Sequence, residues 1–178
     1  MLIGFLASRL GIQMAPVREG FSGQGDVRIG DTLVDITLFK SSKYTMFRCF
    51  TNPFDFLSSL QESLMNISGP SIVRAFRRSV ESPSSMIILV DSLEHRVGTL
   101  SVKFGGSANG HNGVKSILAA MGGELGFHRF RIGVGRDGTD AAEYVMRPLS
   151  SYERTFWNEG GLDTVLREIG KVTLKTKS

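Results

Sequence analysis

Apolar positions recur along this chain at two spacings, and each spacing predicts its own kind of element. Leu2, Ile3, Leu6 and Leu10 repeat at helical intervals. The N-terminal stretch therefore reads as an amphipathic helix rather than a signal peptide, which would carry a basic segment before its apolar run. Residues 26–39 read as a hairpin, with Gly30-Asp31 between VRI and the β-rich TLVDITLF. Ser68-Gly69-Pro70 marks a helix start, a capping hydroxyl followed by Pro near the first turn. Ile72, Val73, Phe76 and Val80 give that helix an apolar face, while Arg74, Arg77 and Arg78 fall on its other side as a solvated face.

The run MIILV at 86–90 is apolar throughout, as in a strand covered on both faces, and it ends at Asp91. Leu100, Val102 and Phe104 alternate with polar positions and predict a second strand. Val114, Ile117, Leu118 and Met121 predict a helix after it. Phe130, Ile132 and Val134 alternate with Arg129, Arg131 and Gly133, giving a third strand. Ser150 and Glu153 fit a capping box ahead of a C-terminal helix carrying Trp157, Leu162, Val165 and Leu166, interrupted at Gly160-Gly161. The tail KVTLKTKS reads as basic and frayed. Strands alternating with helices imply a three-layer α/β domain, with ligands bound beyond the carboxyl ends of strands.

Composition narrows the chemistry. At 178 residues, with 41% hydrophobic and 21% charged residues, the chain suits one globular domain. Its single cysteine, Cys49, excludes an intrachain disulfide and a metal site built on several thiolates. His95, His111 and His128 are not at HExxH spacing, so no zinc site is expected. No apolar run is long enough to span a bilayer. A net charge of +4 permits a polyanionic partner.

The candidate chemistry sits between the second strand and the helix after it. Residues 104–117 read FGGSANGHNGVKSI, a glycine-rich loop that lets backbone approach a ligand closely. His111 and Asn112 stand where the helix begins, beside its unpaired N–H groups and the positive end of its dipole. Residues 106–116 loosely match a phosphate-binding P-loop, but Val114 separates Gly113 from Lys115, so the nucleotide reading is weak. No GxSxG serine elbow occurs. On these residues alone, His111 with Asp91 is the default general-base pair, and strand ends bring both to one cleft.

GHNGVKSI, followed by FHRFRIGVGR, closely resembles the bacterial-type peptidyl-tRNA hydrolase family. LMNISG at 64–69 is similar to that family's aromatic-Met-Asn-x-Ser-Gly segment, and VDSLEHRVGTLSVKFGGS to its His-Asp-(Asp/Glu)-Leu-Asp stretch. AEYVMRPLSSYE resembles the lead into its capped C-terminal helix. The resemblance runs in order from about residue 1 to 169, a single domain with a basic tail at 170–178. It implies a three-layer α/β/α sandwich with a mixed, mostly parallel central sheet. It also implies hydrolysis of the ester joining a peptide to the 3′ end of tRNA, by a monomer needing no metal and no cofactor.

Residue by residue, the resemblance implies that Asn66, with Leu64 beside it, contacts the 3′ end of the substrate. Asp91 holds a catalytic imidazole in its basic form, Asn112 bonds the substrate or its attacking water, and His111 lines the same cleft. Lys103 and Arg131 match a basic pair that grips the 5′ phosphate of tRNA. Both offer fixed positive charge on strands beside the loop.

The chain also departs from the family's pattern. The family's opening strand, its Gly-Asn-Pro loop and its Arg-His-Asn segment, whose His is the general base, have no counterpart after Met1. Residues 42–61, with Phe47, Phe50, Phe54, Phe56 and Cys49, interrupt a segment that the family runs without a gap. Leu64 replaces an aromatic, Ser92 an acidic residue and Val90 a His. The expectation is a late start codon together with an unspliced intron at 42–61. If the chain exists as written, a sheet strand is lost and an edge or apolar surface stays uncovered. A second reading keeps the cleft for RNA binding without the chemistry. The compartment stays open between cytoplasm and mitochondrion.

Overall fold

The computed structural model describes residues 2–41, 67–136, 138, 144 and 147–176. The interrupting segment 42–61, and Leu64 and Asn66 after it, lie outside the described residues. Helix α1 (Leu2–Leu10) opens the chain, as its periodicity predicts. Strands β1 (Ala15–Val17), β2 (Gly20–Ile29) and β3 (Thr32–Ser41) follow. The hairpin turns at Gly30, whose φ of 61° suits a two-residue connection between Ile29 and Thr32. It is longer than predicted and carries the extra strand β1. Residues 20–25 (GFSGQG) show no alternation, and their strand conformation comes from pairing with β3.

Helix α2 (Gly69–Ser79) begins where the Ser-Gly-Pro signal places it, but Ser68 does not cap it with its side chain. The Gly69 amide instead donates to the Ser116 Oγ of a neighbouring helix, at 2.9 Å. A Cβ at position 69 would run into the Ser116 carbonyl, so the two helices meet only because this residue is glycine. Arg74, Arg77 and Arg78 are exposed, as expected of a solvated face.

Strand β4 (Ile87–Ser92), strand β5 (Leu100–Phe104), helix α3 (Asn112–Ala120) and strand β6 (His128–Gly133) carry the candidate site. Helices α4 (Ser151–Asn158) and α5 (Gly160–Thr176) close the chain, divided at the predicted glycines. The Ser150–Glu153 capping box forms in full. The tail expected to fray continues α5 through Thr176, because Val172 is buried in the core.

The fold is α/β with a mixed sheet. Sheet order is β4-β6-β5, β4 and β6 running parallel and β5 and β6 antiparallel. The strands β1-β2-β3 form a second, wholly antiparallel sheet. Among the described residues only β4 and β6 pair in parallel, fewer than expected, because β5 lies antiparallel to β6 although α3 separates the two, and β1-β2-β3 are joined by hairpins. Helices pack on both faces of the β4-β6-β5 sheet and leave Val102 and Phe104 of β5 exposed. Phe130 joins Leu6, Trp157, Leu162 and Val165 from α1, α4 and α5 on one side. Ile88 and Val90 join Val73, Val114 and Ile117 from α2 and α3 on the other.

Strands β3 and β4 are both sheet edges. A largely apolar cavity of about 330 Å³ lies between them, lined by Leu6, Leu38, Ile88, Val90 and Trp157 among others. No helix among the described residues is long and apolar enough to cross a membrane.

Candidate active site

Asp91 is the second-last residue of β4, and it is 9% exposed. The glycine loop leaves β5 and ends at His111, the residue just before α3. The crossover therefore delivers the start of a helix to the carboxyl end of β4, which lies two strands away from β5. His111 Nε2 lies 3.0 Å from Asp91 Oδ1, so the pair expected from sequence meets in space. Asn112, the first residue of α3, is exposed and follows His111 directly.

The second ring nitrogen of His111 decides what the pair can do. The Val114 amide donates to His111 Nδ1 at 3.2 Å, capping α3. A backbone N–H can only donate, so Nδ1 presents its lone pair and Nε2 carries the proton given to Asp91. Both nitrogens are thus engaged within the protein, and neither is left to take a proton from water. The geometry makes His111 a cap and a partner for a buried carboxylate, in place of the general base that the residues alone suggest.

A cationic face lies across β5 and β6. In the β5–β6 register Lys103 sits opposite Arg129 and Ser101 opposite Arg131, so all four share one face of the sheet. Arg131 Nη2 donates to Ser101 Oγ at 2.7 Å. The Lys103 side chain packs against the loop: a Cβ at Gly106 would lie 2.9 Å from its Cε. The two cations expected to form one site are thus diagonal neighbours across β5 and β6.

Arg129 is the residue that the sequence reading missed. Alternation with Phe130 puts it on the same face as the partly exposed Arg131, yet Arg129 is 3% exposed. Its Nη1 donates to the Ser107 carbonyl at 2.6 Å and its Nη2 to the Gly105 carbonyl. Burial, and then the neighbouring charge of Arg131, draws its pKa below the ordinary guanidinium value. A period-2 pattern carries no signal that separates the two arginines. The same alternation fails on the other face, where Val102 and Phe104 are exposed.

The comparisons with known proteins bear on this arrangement. The model of the family described as Peptidyl-tRNA hydrolase matches residues 30–176. A peptidyl-tRNA hydrolase of Symbiobacterium thermophilum is 32% identical over 151 residues, covering 83% of this chain and 68% of that protein. One from Mycobacterium sp. (strain KMS) is 41% identical over 92 residues, covering 51% of this chain and 47% of its own. The matched stretch thus spans about half the length of relatives such as the mycobacterial one. The crystal structure of peptidyl-tRNA hydrolase from Acinetobacter baumannii superposes with a TM-score of 0.72 at 25% identity, covering 98% of this chain and 78% of that one. With the matched region running from the β2–β3 turn to the end of α5, and so enclosing Asp91, the glycine loop and the cationic face, this chain belongs to the peptidyl-tRNA hydrolase family.

Proposed function

We propose that this cleft binds peptidyl-tRNA and hydrolyses the ester between the peptide and the 3′ end of the tRNA. The observation that carries the reading is the meeting of Asp91 with His111, the residue leading into Asn112, at the end of a glycine loop against which Lys103 packs. In the reaction, water adds to the ester carbonyl, the carbonyl carbon–tRNA oxygen bond breaks, and the departing oxygen takes a proton. Asn112, exposed at the positive end of α3, is placed to donate to the carbonyl oxygen as charge develops on it. Lys103 and Arg131 supply sequence-independent attraction for phosphate, which positions the polyanion rather than reading its bases. Asp91 is the buried acceptor at the floor of the cleft, and it orients the groups that reach it.

The engaged state of His111 excludes it from proton abstraction in this arrangement, and it is the one observation that favours the second reading, RNA binding without turnover. One experiment tests both. The full chain is incubated with N-acetylated aminoacyl-tRNA, and release of the amino acid is followed alongside tRNA binding. Turnover that Asn112→Ala lowers more than it lowers binding supports the hydrolase. Binding without turnover supports the second reading, and neither activity refutes both.

A further inference from the structure

The glycine loop owes its shape to unusual backbone. Gly105, Gly106, Asn109 and Gly110 have φ of 62°, 77°, 47° and 81°. Residues in that region are held there by their surroundings, above all the non-glycine Asn109. Backbone bonds anchor the loop at its ends, Gly105 N–H to the Phe127 carbonyl and His111 N–H to the Ala108 carbonyl, each at 3.0 Å. Between those anchors, one side chain takes the Gly105 and Ser107 carbonyls together, and it is Arg129.

The chemistry of Arg129 is that of a strut. It projects from β6, the most central strand of its sheet, and is buried. None of the ion pairs among the described residues includes it. Its Nε is buried without a hydrogen-bond partner among the described residues. Burying a cation away from any carboxylate is costly, and here its compensation comes from two carbonyl dipoles of the loop. A planar guanidinium fork can bridge two carbonyls two residues apart in sequence, whereas an ammonium presents a point charge on a flexible stem. Nη1 and Nη2 each hold a loop carbonyl and the side chain is 3% exposed, so Arg129 lacks the exposure to grip a phosphate.

We propose that Arg129 is a positioning residue for the cleft. Its fork sets the path of residues 105–107, and the loop then delivers His111 and Asn112 to Asp91. The catalytic part of this inference rests on the peptidyl-tRNA reading above, while the structural part stands apart from it.

The test compares the full chain with Arg129→Lys, Arg129→Met and, as a contrast, Arg131→Ala. Amide hydrogen exchange is measured across the loop and β4, together with tRNA binding over a range of salt and the kinetics of N-acetylated aminoacyl-tRNA hydrolysis. In both Arg129 variants, exchange across residues 107–112 should rise about tenfold or more relative to β4, because the anchor of the loop is gone while the sheet stays closed. The salt dependence of tRNA binding should stay that of the parent, whereas Arg131→Ala should flatten it by one phosphate contact. The kcat should fall about tenfold or more with KM within about threefold, the signature of lost positioning rather than lost binding. Arg129→Lys should not restore kcat although it keeps the charge. If Arg129→Met fails to fold, Arg129→Lys carries the decision. Loop exchange unchanged in Arg129→Lys, or a salt dependence that falls as in Arg131→Ala, overturns the proposal. A parent that binds tRNA without turnover overturns the hydrolase reading instead, and loop exchange then decides the role of Arg129.

Discussion

Replacing His111 by Ala removes two bonds from opposite sides of one ring. The first is the cap, in which Nδ1 accepts from the Val114 amide at 3.2 Å. Loss of a good cap costs about 1 kcal/mol. The second is the bond to Asp91 at 3.0 Å, with a carboxylate only 9% exposed. Hydrogen bonds to charged groups are worth about 1.5–3 kcal/mol, and the stranded partner loses its compensation on burial. Together the loss should be about 2.5–4 kcal/mol, a drop of very roughly 5–15 °C in Tm for a chain of this size. His111→Asn separates the two terms. Asn caps helices well but is too short to reach Asp91, so about 1 kcal/mol should return.

Urea unfolding followed by circular dichroism measures each variant, and repeating His111→Ala in an Asp91→Asn background completes a double-mutant cycle. A coupling between the two positions of less than about 0.5 kcal/mol would refute the claim that the ring and the carboxylate hold one another. A His111→Ala chain as stable as its parent would refute the cap as well.

Three further outcomes follow from the same structure. Gly69→Ala should destabilise the chain by more than about 1 kcal/mol, since its Cβ meets the Ser116 carbonyl, and unchanged urea stability would remove that helix contact from the fold. Glu153 is buried and receives both terminal nitrogens of Arg147 at 2.8 Å and the Ser150 amide at 2.7 Å. Burial alone would raise the Glu153 pKa; the Arg147 and Ser150 bonds outweigh burial and hold it below the ordinary value. The stability it contributes is therefore complete above its unfolded pKa, about 4.3, and lost as pH falls through the lowered folded value. Glu153→Gln should accordingly lower Tm near neutral pH and converge with the parent in acid, and a constant gap across that range would sink the assignment. Arg131→Ala should weaken tRNA binding several-fold at low salt and little at high salt, and an equal loss at both would remove it from phosphate contact.

Much of the architecture was legible because it is governed by local period. Leu2, Ile3, Leu6 and Leu10 specify one apolar stripe, and α1 forms on it. Ser150 and Glu153 complete each other's bonds within a single turn, so no distant partner was needed to foresee the capping box. The pairing of Asp91 with His111 was also accessible, since a strand end and a helix start meet at one edge of an α/β sheet. Local pattern failed wherever a partner remote in sequence supplied the missing bond or cover. Residues 20–25 have no strand period and are strand through β3. Ser68 has the chemistry of a cap, yet the donor at Gly69 is met by Ser116.

By itself, then, the sequence determined the element order, the α/β class, the family and the cluster of chemistry around the glycine loop. These follow from side-chain spacing and backbone preference within a few residues. Only the tertiary structure decided which nitrogen of His111 faces which partner, and so that the ring is held instead of free. It alone separated Arg129 from Arg131. Alternation assigns a side chain to a face of the sheet, but what covers that face is set by elements distant in the chain. Over Arg129 the cover is the backbone of the glycine loop, whose two carbonyls accept from its buried guanidinium.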